Sequence, residues 1–122
     1  MARSTRRLGK TGVLGAFEEL VLLALLHQGR EASPVSIRRE LAERLGSDVA
    51  MGAVYVTLDR LVAKQMARPR EGRPAPTGPG RPRTYYDILP DGLTALTQTR
   101  RIRQEMWRGI SLPASAGRRT IT

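Results

Sequence analysis

The sequence predicts a mainly α-helical protein that carries a small two-stranded β hairpin. Apolar residues recur at helical spacing in four separate segments of the chain. A stretch dense in Gly, Pro and Arg, residues 71–82, interrupts this pattern, and a short segment that can form a strand lies on each side of it. With 122 residues, the chain has room for one domain and one additional element.

The first helix is predicted from Leu14 to Gln28, with Gly29 as its C-terminal stop. Leucines occupy both of its sides, so the helix is apolar nearly all round and must be covered on several sides. This pattern predicts contacts within the subunit and also with a second copy of the chain. Residues 1–13 are predicted to form a flexible basic arm. This arm either follows a groove of nucleic acid or is an ordinary disordered terminus.

A second helix is predicted to begin after Ser33, a natural N-cap, and to end at Gly46. The Ser-Asp pair at 47–48 is expected to cap a third helix over residues 49–65. This helix carries an apolar stripe on one side and mostly small, polar and basic residues on the other, where Thr57 is also expected. Two short amphipathic helices joined by a tight turn are the components of a helix-turn-helix.

A hairpin is predicted next, with strands at 66–70 and 83–89. The loop of the hairpin and the strand residues that flank it carry more positive charge than solubility requires. This charge suits a wing that lies on a phosphate backbone. The final helix is predicted from Asp91 to Ile110, with Pro113 closing it. It has two apolar sides, and residues 113–122 are expected to form a disordered tail.

The composition restricts the classes of function. Lys and Arg number 21 against 11 Asp and Glu, a net charge of +10, which favours nucleic acid over other polyanions such as anionic membranes or acidic proteins. The absence of cysteine and the single histidine, His27, exclude thiolate and histidine-cluster metal sites. No nucleophile–base set, phosphate loop or paired carboxylates point to an enzyme, and no cofactor is expected.

The longest apolar run, residues 20–26, is far shorter than the roughly 20 residues that span a bilayer. No secretory signal is evident, so a cytoplasmic protein without a membrane partner is expected.

The predicted elements are three helices, a hairpin and a final helix, in that order. This is the order of a winged helix-turn-helix with an added dimerisation helix. Five sequence stretches then point to a family: ELVLLALL at 19–26, GAVY at 52–55, LDRL at 58–61 with Lys64, GRPRTYY at 80–86 and PDG at 90–92. Over residues 14–110 the chain resembles the PadR transcriptional regulators. The domain boundaries expected are 14–89 for the DNA-binding domain and 90–112 for the dimerisation helix. Val56, Gln65 and Leu89 depart from the family pattern, which often has Pro, Gly and Thr there.

The resemblance implies a homodimeric repressor that places its third helix in the major groove of double-stranded DNA and its wing alongside. A small hydrophobic effector that releases the DNA is a further expectation. The residues expected to contact DNA are Arg38, Arg39, Gly52, Ala53, Tyr55, Val56, Arg60, Lys64, Arg73, Arg81 and Arg83. Those expected at the dimer interface or in a ligand pocket are Phe17, Leu20, Leu96, Met106, Trp107 and Ile110.

Several alternatives remain open at this stage. The Tyr55 ring can pack under the wing instead of contacting a phosphate, and Trp107 can be a plain interface anchor instead of part of a ligand pocket. Which of Tyr85 and Tyr86 is exposed does not follow from the sequence, since they occupy opposite faces of one strand. A non-specific architectural DNA binder and a protein-interaction adaptor are the alternatives for the whole chain.

Overall fold

The computed structural model describes residues 12–74 and 82–114. This part of the chain contains four α-helices and a two-stranded antiparallel hairpin, which we call the wing. The elements are α1 (Ala16–Gln28), α2 (Pro34–Leu45), α3 (Met51–Ala63), β1 (Ala67–Pro74), β2 (Pro82–Ile88) and α4 (Pro90–Trp107). A 3-10 turn, Gly29–Glu31, joins α1 to α2. The fold class predicted from the sequence is confirmed.

The core is built around α1, which contacts α2, α3, β2 and α4. Val21 and Leu22 are fully buried, and aliphatic side chains from every other helix pack with them. Burying one such side chain contributes about 1.5–3 kcal/mol, so this cluster supplies most of the stability. The helix contributions beyond α1 are Ile37, Leu41, Val54, Leu58, Leu61, Ala95 and Leu96.

Both ends of α2 are capped by the residues that the sequence predicts, Ser33 and Gly46. The Ser33 hydroxyl accepts from the backbone N–H of Ser36 at 3.2 Å, and the Ser36 hydroxyl accepts from the N–H of Ser33 at 2.9 Å. This reciprocal pair satisfies two of the donors that a helix start leaves free. At the other end Gly46 adopts a left-handed φ of 70° and its N–H donates to Ala42 O.

The start of α3 differs from the prediction. The helix begins at Met51 after an Ala50 N-cap without a side-chain hydrogen bond, so the expected capping by residues 47–48 is wrong. The Asp48 carboxylate instead accepts from the N–H of the next residue, Val49, at 3.2 Å. Such a local bond competes with helix formation, and the buried Val49 side chain anchors this segment in the core.

The turn after α3 depends on Gln65, which has a left-handed φ of 62°. It stands where the family often has glycine, yet the turn still forms, because the N–H of Met66 donates to Leu61 O at 2.9 Å and the Met66 side chain is fully buried. A side chain in this backbone region costs about 1–2 kcal/mol. The chain therefore stores local strain between α3 and the wing.

The strands and the last helix are also shifted from their predicted limits. β1 extends to Pro74, beyond the expected end at Arg70, since a two-stranded hairpin has only edge strands and tolerates proline. α4 ends at Trp107, so the prediction that it reaches Ile110 and is closed by Pro113 is wrong. Gly109, with φ 78°, reverses the chain first, and the N–H of Ile110 donates to Trp107 O.

Replacing Gln65 by glycine relieves the strain at the end of α3. We expect Gln65→Gly to raise the free energy of unfolding by about 0.5–1 kcal/mol, because glycine adopts a positive φ without steric cost. Ala63→Gly, two residues earlier in the helix, is the control and should lower the free energy by about 0.5–1 kcal/mol. Urea unfolding measures both; a destabilised Gln65→Gly variant would contradict the strained-turn assignment.

Candidate nucleic-acid interface

A groove of about 550 Å³ lies between the start of α2, α3 and β2. It brings together three of the predicted DNA-contacting residues, Arg39, Tyr55 and Arg83, one from each element. Two arginines and no acidic side chain are among its described lining residues, so we call it the basic groove. Its full lining is Ser33, Pro34, Val35, Ser36, Arg39, Tyr55, Arg83, Thr84 and Tyr86.

The outward side of α3 borders the basic groove and is largely exposed. Tyr55 and Val56 are 48% and 55% exposed, and a Cβ added to Gly52 would meet nothing within 4 Å. Ala53 and Arg60 are exposed on the same helix. The predicted small-residue surface of α3 is therefore accessible to a partner.

Thr57 does not belong to this surface, and its predicted placement on the exposed side is wrong. Its side chain is buried, because a step of about 100° per residue puts position 57 beside Val54, Leu58 and Leu61.

Two of the predicted DNA-contacting residues instead have partners inside the molecule. The Lys64 ammonium lies 2.9 Å from the Glu18 carboxylate of α1; the Glu18 side chain is buried and that of Lys64 is partly buried. The Arg38 guanidinium donates to Val49 O at 3.4 Å and to the Asp48 carboxylate at 3.5 Å. Lys64 therefore ties the end of α3 to the start of α1, and Arg38 ties α2 to the loop before α3. Single-sequence reasoning missed both because the partners lie 46, 11 and 10 residues away.

The predicted contacts at the far end of the wing lie largely outside the described residues. Arg81 falls in the undescribed segment 75–81, and the side chain of Arg73 is not described either. Of the wing arginines in the predicted set, Arg83 has a described position, exposed beside the basic groove.

The structure resolves the roles of the two wing tyrosines. Tyr86 is 8% exposed and its backbone N–H donates to Ala32 O at 2.9 Å, which attaches β2 to the segment before α2. Tyr85 lies on the opposite, half-buried face of the strand. Burial raises the pKa of the Tyr86 phenol above its ordinary value, and the nearby Asp59 and Tyr55 act in the same direction.

A second groove, of about 390 Å³, lies between α1 and α4, and we call it the apolar groove. Its lining residues are Glu19, Leu23, Leu26, Leu93, Leu96, Thr97 and Arg100. Leu23, Leu26 and Leu93 are exposed although they are large and apolar. The predicted interface set did not include these three residues. The leucines on the second side of α1 were the sequence feature that could have identified this surface.

The predicted dimer-interface residues divide into two groups. Phe17 and Leu20 pack partly buried against the core, and Leu96 is buried in it. Met106, Trp107 and Ile110 are 75%, 56% and 57% exposed near the end of α4. Between α1 and α4, the Arg103 guanidinium donates to the Glu19 carboxylate at 3.0 Å.

The described residues contain neither a metal-binding cluster nor a membrane-spanning helix. No group of three or more His, Asp or Glu side chains there is placed to hold a metal ion. Nor does any helix of that part have the length and apolar character to cross a membrane.

Solved structures similar to this fold include transcription regulators. A PadR-family transcriptional regulator from Eggerthella lenta is 25% identical, with 74% of this chain and 76% of that chain covered and a TM-score of 0.57. H. salinarum RosR is 26% identical, with coverages of 80% and 81% and a TM-score of 0.58. A PadR-like transcription factor from Bacteroides fragilis is 23% identical, with coverages of 74% and 82% and a TM-score of 0.61. No protein-family model and no curated protein matches the sequence.

The fold and these comparisons define a DNA-binding transcription regulator of the winged-helix class. Within this class, the chain has the fold of the PadR-family transcriptional regulators, which confirms the resemblance that the sequence motifs indicate. Transcription regulators of this family are not enzymes, in agreement with the sequence-based expectation.

The buried Tyr86 phenol gives an alkaline titration that can be measured. Because its pKa is higher in the folded protein than in the unfolded chain, its contribution to stability is complete below about pH 10, the ordinary tyrosine pKa. That contribution is lost as the pH rises from there through the folded-state pKa. Absorbance titration should show a late component that Tyr86→Phe removes and Tyr85→Phe retains; loss of it in Tyr85→Phe instead would contradict the assignment.

Proposed function

We propose that this chain is a sequence-specific repressor that binds double-stranded DNA as a homodimer, with α3 in the major groove. The wing lies on the phosphate backbone or in the minor groove. The observation that carries the proposal is the basic groove, in which Arg39, Tyr55 and Arg83 converge beside the unpacked side of α3. A cytoplasmic location is part of this proposal.

The outward side of α3 suits the reading of base edges. With no side chain at Gly52, a methyl group at Ala53 and a small isopropyl group at Val56, the helix can approach the floor of the major groove closely. Small apolar groups are suitable contacts for the thymine methyl. Arg60, exposed further along the helix, is a phosphate contact in this arrangement.

The basic groove supplies contacts that position the helix. Arg39 of α2 and Arg83 of β2 both line the basic groove beside α3, so both can bind phosphates when the helix enters the major groove. The Tyr55 hydroxyl is a further phosphate contact. Arg73 and Arg81 remain proposed contacts of the wing, whereas Lys64 and Arg38 are assigned mainly to internal pairing, which lowers their weight as DNA contacts.

A second copy of the chain is the proposed occupant of the apolar groove and of the exposed end of α4. Leu23, Leu26 and Leu93 leave a large apolar surface uncovered between α1 and α4, and Trp107 adds an aromatic anchor. A repressor dimer also requires two copies of α3 to read two half-sites. A small hydrophobic effector would bind at this same surface, where it would compete with or reshape the dimer contact.

The proposed domain organisation follows from these assignments. Residues 14–89 form the DNA-binding domain and residues 90–112 the dimerisation helix. Residues 1–13 are a basic arm and residues 113–122 a tail.

DNA binding is tested by fluorescence anisotropy on DNA upstream of the chain's own gene and on scrambled DNA of equal length, over a salt series. We expect Tyr55→Ala and Arg83→Ala to weaken binding to the natural sequence by about tenfold or more, and Arg83→Ala to lower the salt slope by about 1. Arg101→Ala, which removes an exposed charge from α4, is the matched control and should change both quantities little.

The outcomes separate the proposed function from its alternatives. Equal affinity of the wild-type protein for both DNAs, confirmed by a genome-wide selection of bound fragments, would indicate an architectural DNA binder. No DNA binding at any salt concentration would indicate an adaptor. Unchanged affinity in both groove variants would remove the basic groove from the interface.

The dimer is tested by sedimentation. We expect Leu93→Glu to give a monomer, because a charge cannot be buried unpaired in an apolar interface, and Trp107→Ala to weaken the dimer by about tenfold. Leu45→Glu, at an equally exposed leucine on α2, is the control and should leave the dimer intact. An unchanged dimer affinity in both Leu93→Glu and Trp107→Ala would place the subunit contact elsewhere.

A further inference from the structure

Arg70, in the middle of β1, has three partners for one guanidinium group. Its Nε donates to the Asp87 carboxylate at 3.0 Å, and its Nη2 donates to Arg30 O at 2.6 Å. Its Cζ lies 5.3 Å from the centroid of the Tyr85 ring. The side chain is 26% exposed; its bond to Asp87 is partly buried, whereas its bond to Arg30 O lies at the surface.

These partners join separate parts of the fold. Tyr85 and Asp87 belong to β2, and Tyr85 is the direct partner of Arg70 in the strand register. Arg30 lies in the 3-10 turn between α1 and α2. One side chain therefore connects both strands of the wing to the corner from which α2 begins.

The Tyr85 ring is itself held in one place. A Cβ on Gly72 would lie 2.1 Å from Cε2 and 2.4 Å from Cδ2 of that ring, so the ring occupies the space above the glycine backbone. With Arg70 nearby and Gly72 below, the ring has little freedom to move. Arg83 and Thr84 precede it directly on β2, and both line the basic groove.

We propose that Arg70 sets the orientation of the wing relative to α2 and α3, and that it acts on DNA binding through Tyr85 and Arg83 without contacting DNA. It is a positioning residue, because its donors are directed at protein acceptors. Lysine would keep its charge but lacks the planar fork needed to reach both acceptors while lying on a ring. This inference rests on the proposed function.

The test separates geometry from charge. Asp87→Asn makes the protein more positive, so charge alone would tighten binding to DNA. We expect instead that Asp87→Asn and Arg70→Lys each weaken binding to the preferred DNA by about tenfold, the effect of losing one charge-assisted hydrogen bond. Arg70→Lys should also lower the salt slope although its net charge is unchanged, since the wing loses phosphate contacts.

Arg68→Lys is the matched control, an exposed arginine two residues earlier on β1. It should change affinity less than about twofold, as is usual for surface contacts. Hydroxyl-radical footprints of Arg70→Lys should lose protection at the wing while that of α3 remains. Equal effects of Arg68→Lys and Arg70→Lys, or unchanged affinity in both Arg70→Lys and Asp87→Asn, would overturn the proposal.

A measurement without DNA keeps this inference distinct from the proposed function. Hydrogen exchange of the Tyr86 amide, which donates to Ala32 O, reports how firmly β2 is attached to the segment before α2. We expect Arg70→Lys and Asp87→Asn to accelerate this exchange at least about tenfold, the loss of one charge-assisted hydrogen bond, and Arg68→Lys to leave it unchanged. If the wild-type protein binds no DNA, the proposed function fails and this exchange alone decides whether Arg70 positions the wing.

Discussion

The burial of α1 among α2, α3, α4 and β2 is the constraint on which the rest of this structure depends. Val21 and Leu22 are fully buried, and α2, α3, α4 and β2 each contact this helix. No single neighbour could cover an apolar cylinder, so several elements must surround it before the chain is stable. The basic groove exists because α2, α3 and the wing meet at their outer edges while their inner faces cover α1. The exposed leucines of α1 beside α4 are the part that one copy of the chain leaves uncovered.

Local chemistry made the fold predictable. The Ser33 cap, the Gly46 stop and the alternation of Tyr85 with Tyr86 depend on neighbouring residues only, and all are present in the structure. The predicted ends of α3 and α4 failed where a second local signal competed. Asp48 bonded to its neighbour's N–H, and Gly109 reversed the chain before Pro113 was reached. The sequence contained both signals, but their relative strength depends on packing.

The candidate site was predictable in its surfaces but not in the use of each charge. Arg39, Tyr55 and Arg83, three members of the set expected to contact DNA, meet in one groove. Lys64 and Arg70 look equally suited to binding phosphate in the sequence, yet their partners lie 46 and 17 residues away. Whether an arginine or lysine faces solvent or a buried carboxylate is decided by long-range packing. Net charge therefore overstates the number of cations available to DNA.

Two adjacent carboxylates on the first turn of α1 have different tasks. Glu18 pairs with Lys64 just beyond α3, and Glu19 pairs with Arg103 on α4. Neighbouring residues on a helix point about 100° apart, so α1 has one ionic attachment to each of these helices. A rotation of α1 about its axis changes both distances at once. The proposed DNA-reading helix α3 and the proposed dimerisation helix α4 are therefore both attached to α1 through adjacent residues, and a shift of α1 that lengthens one ion pair also changes the other.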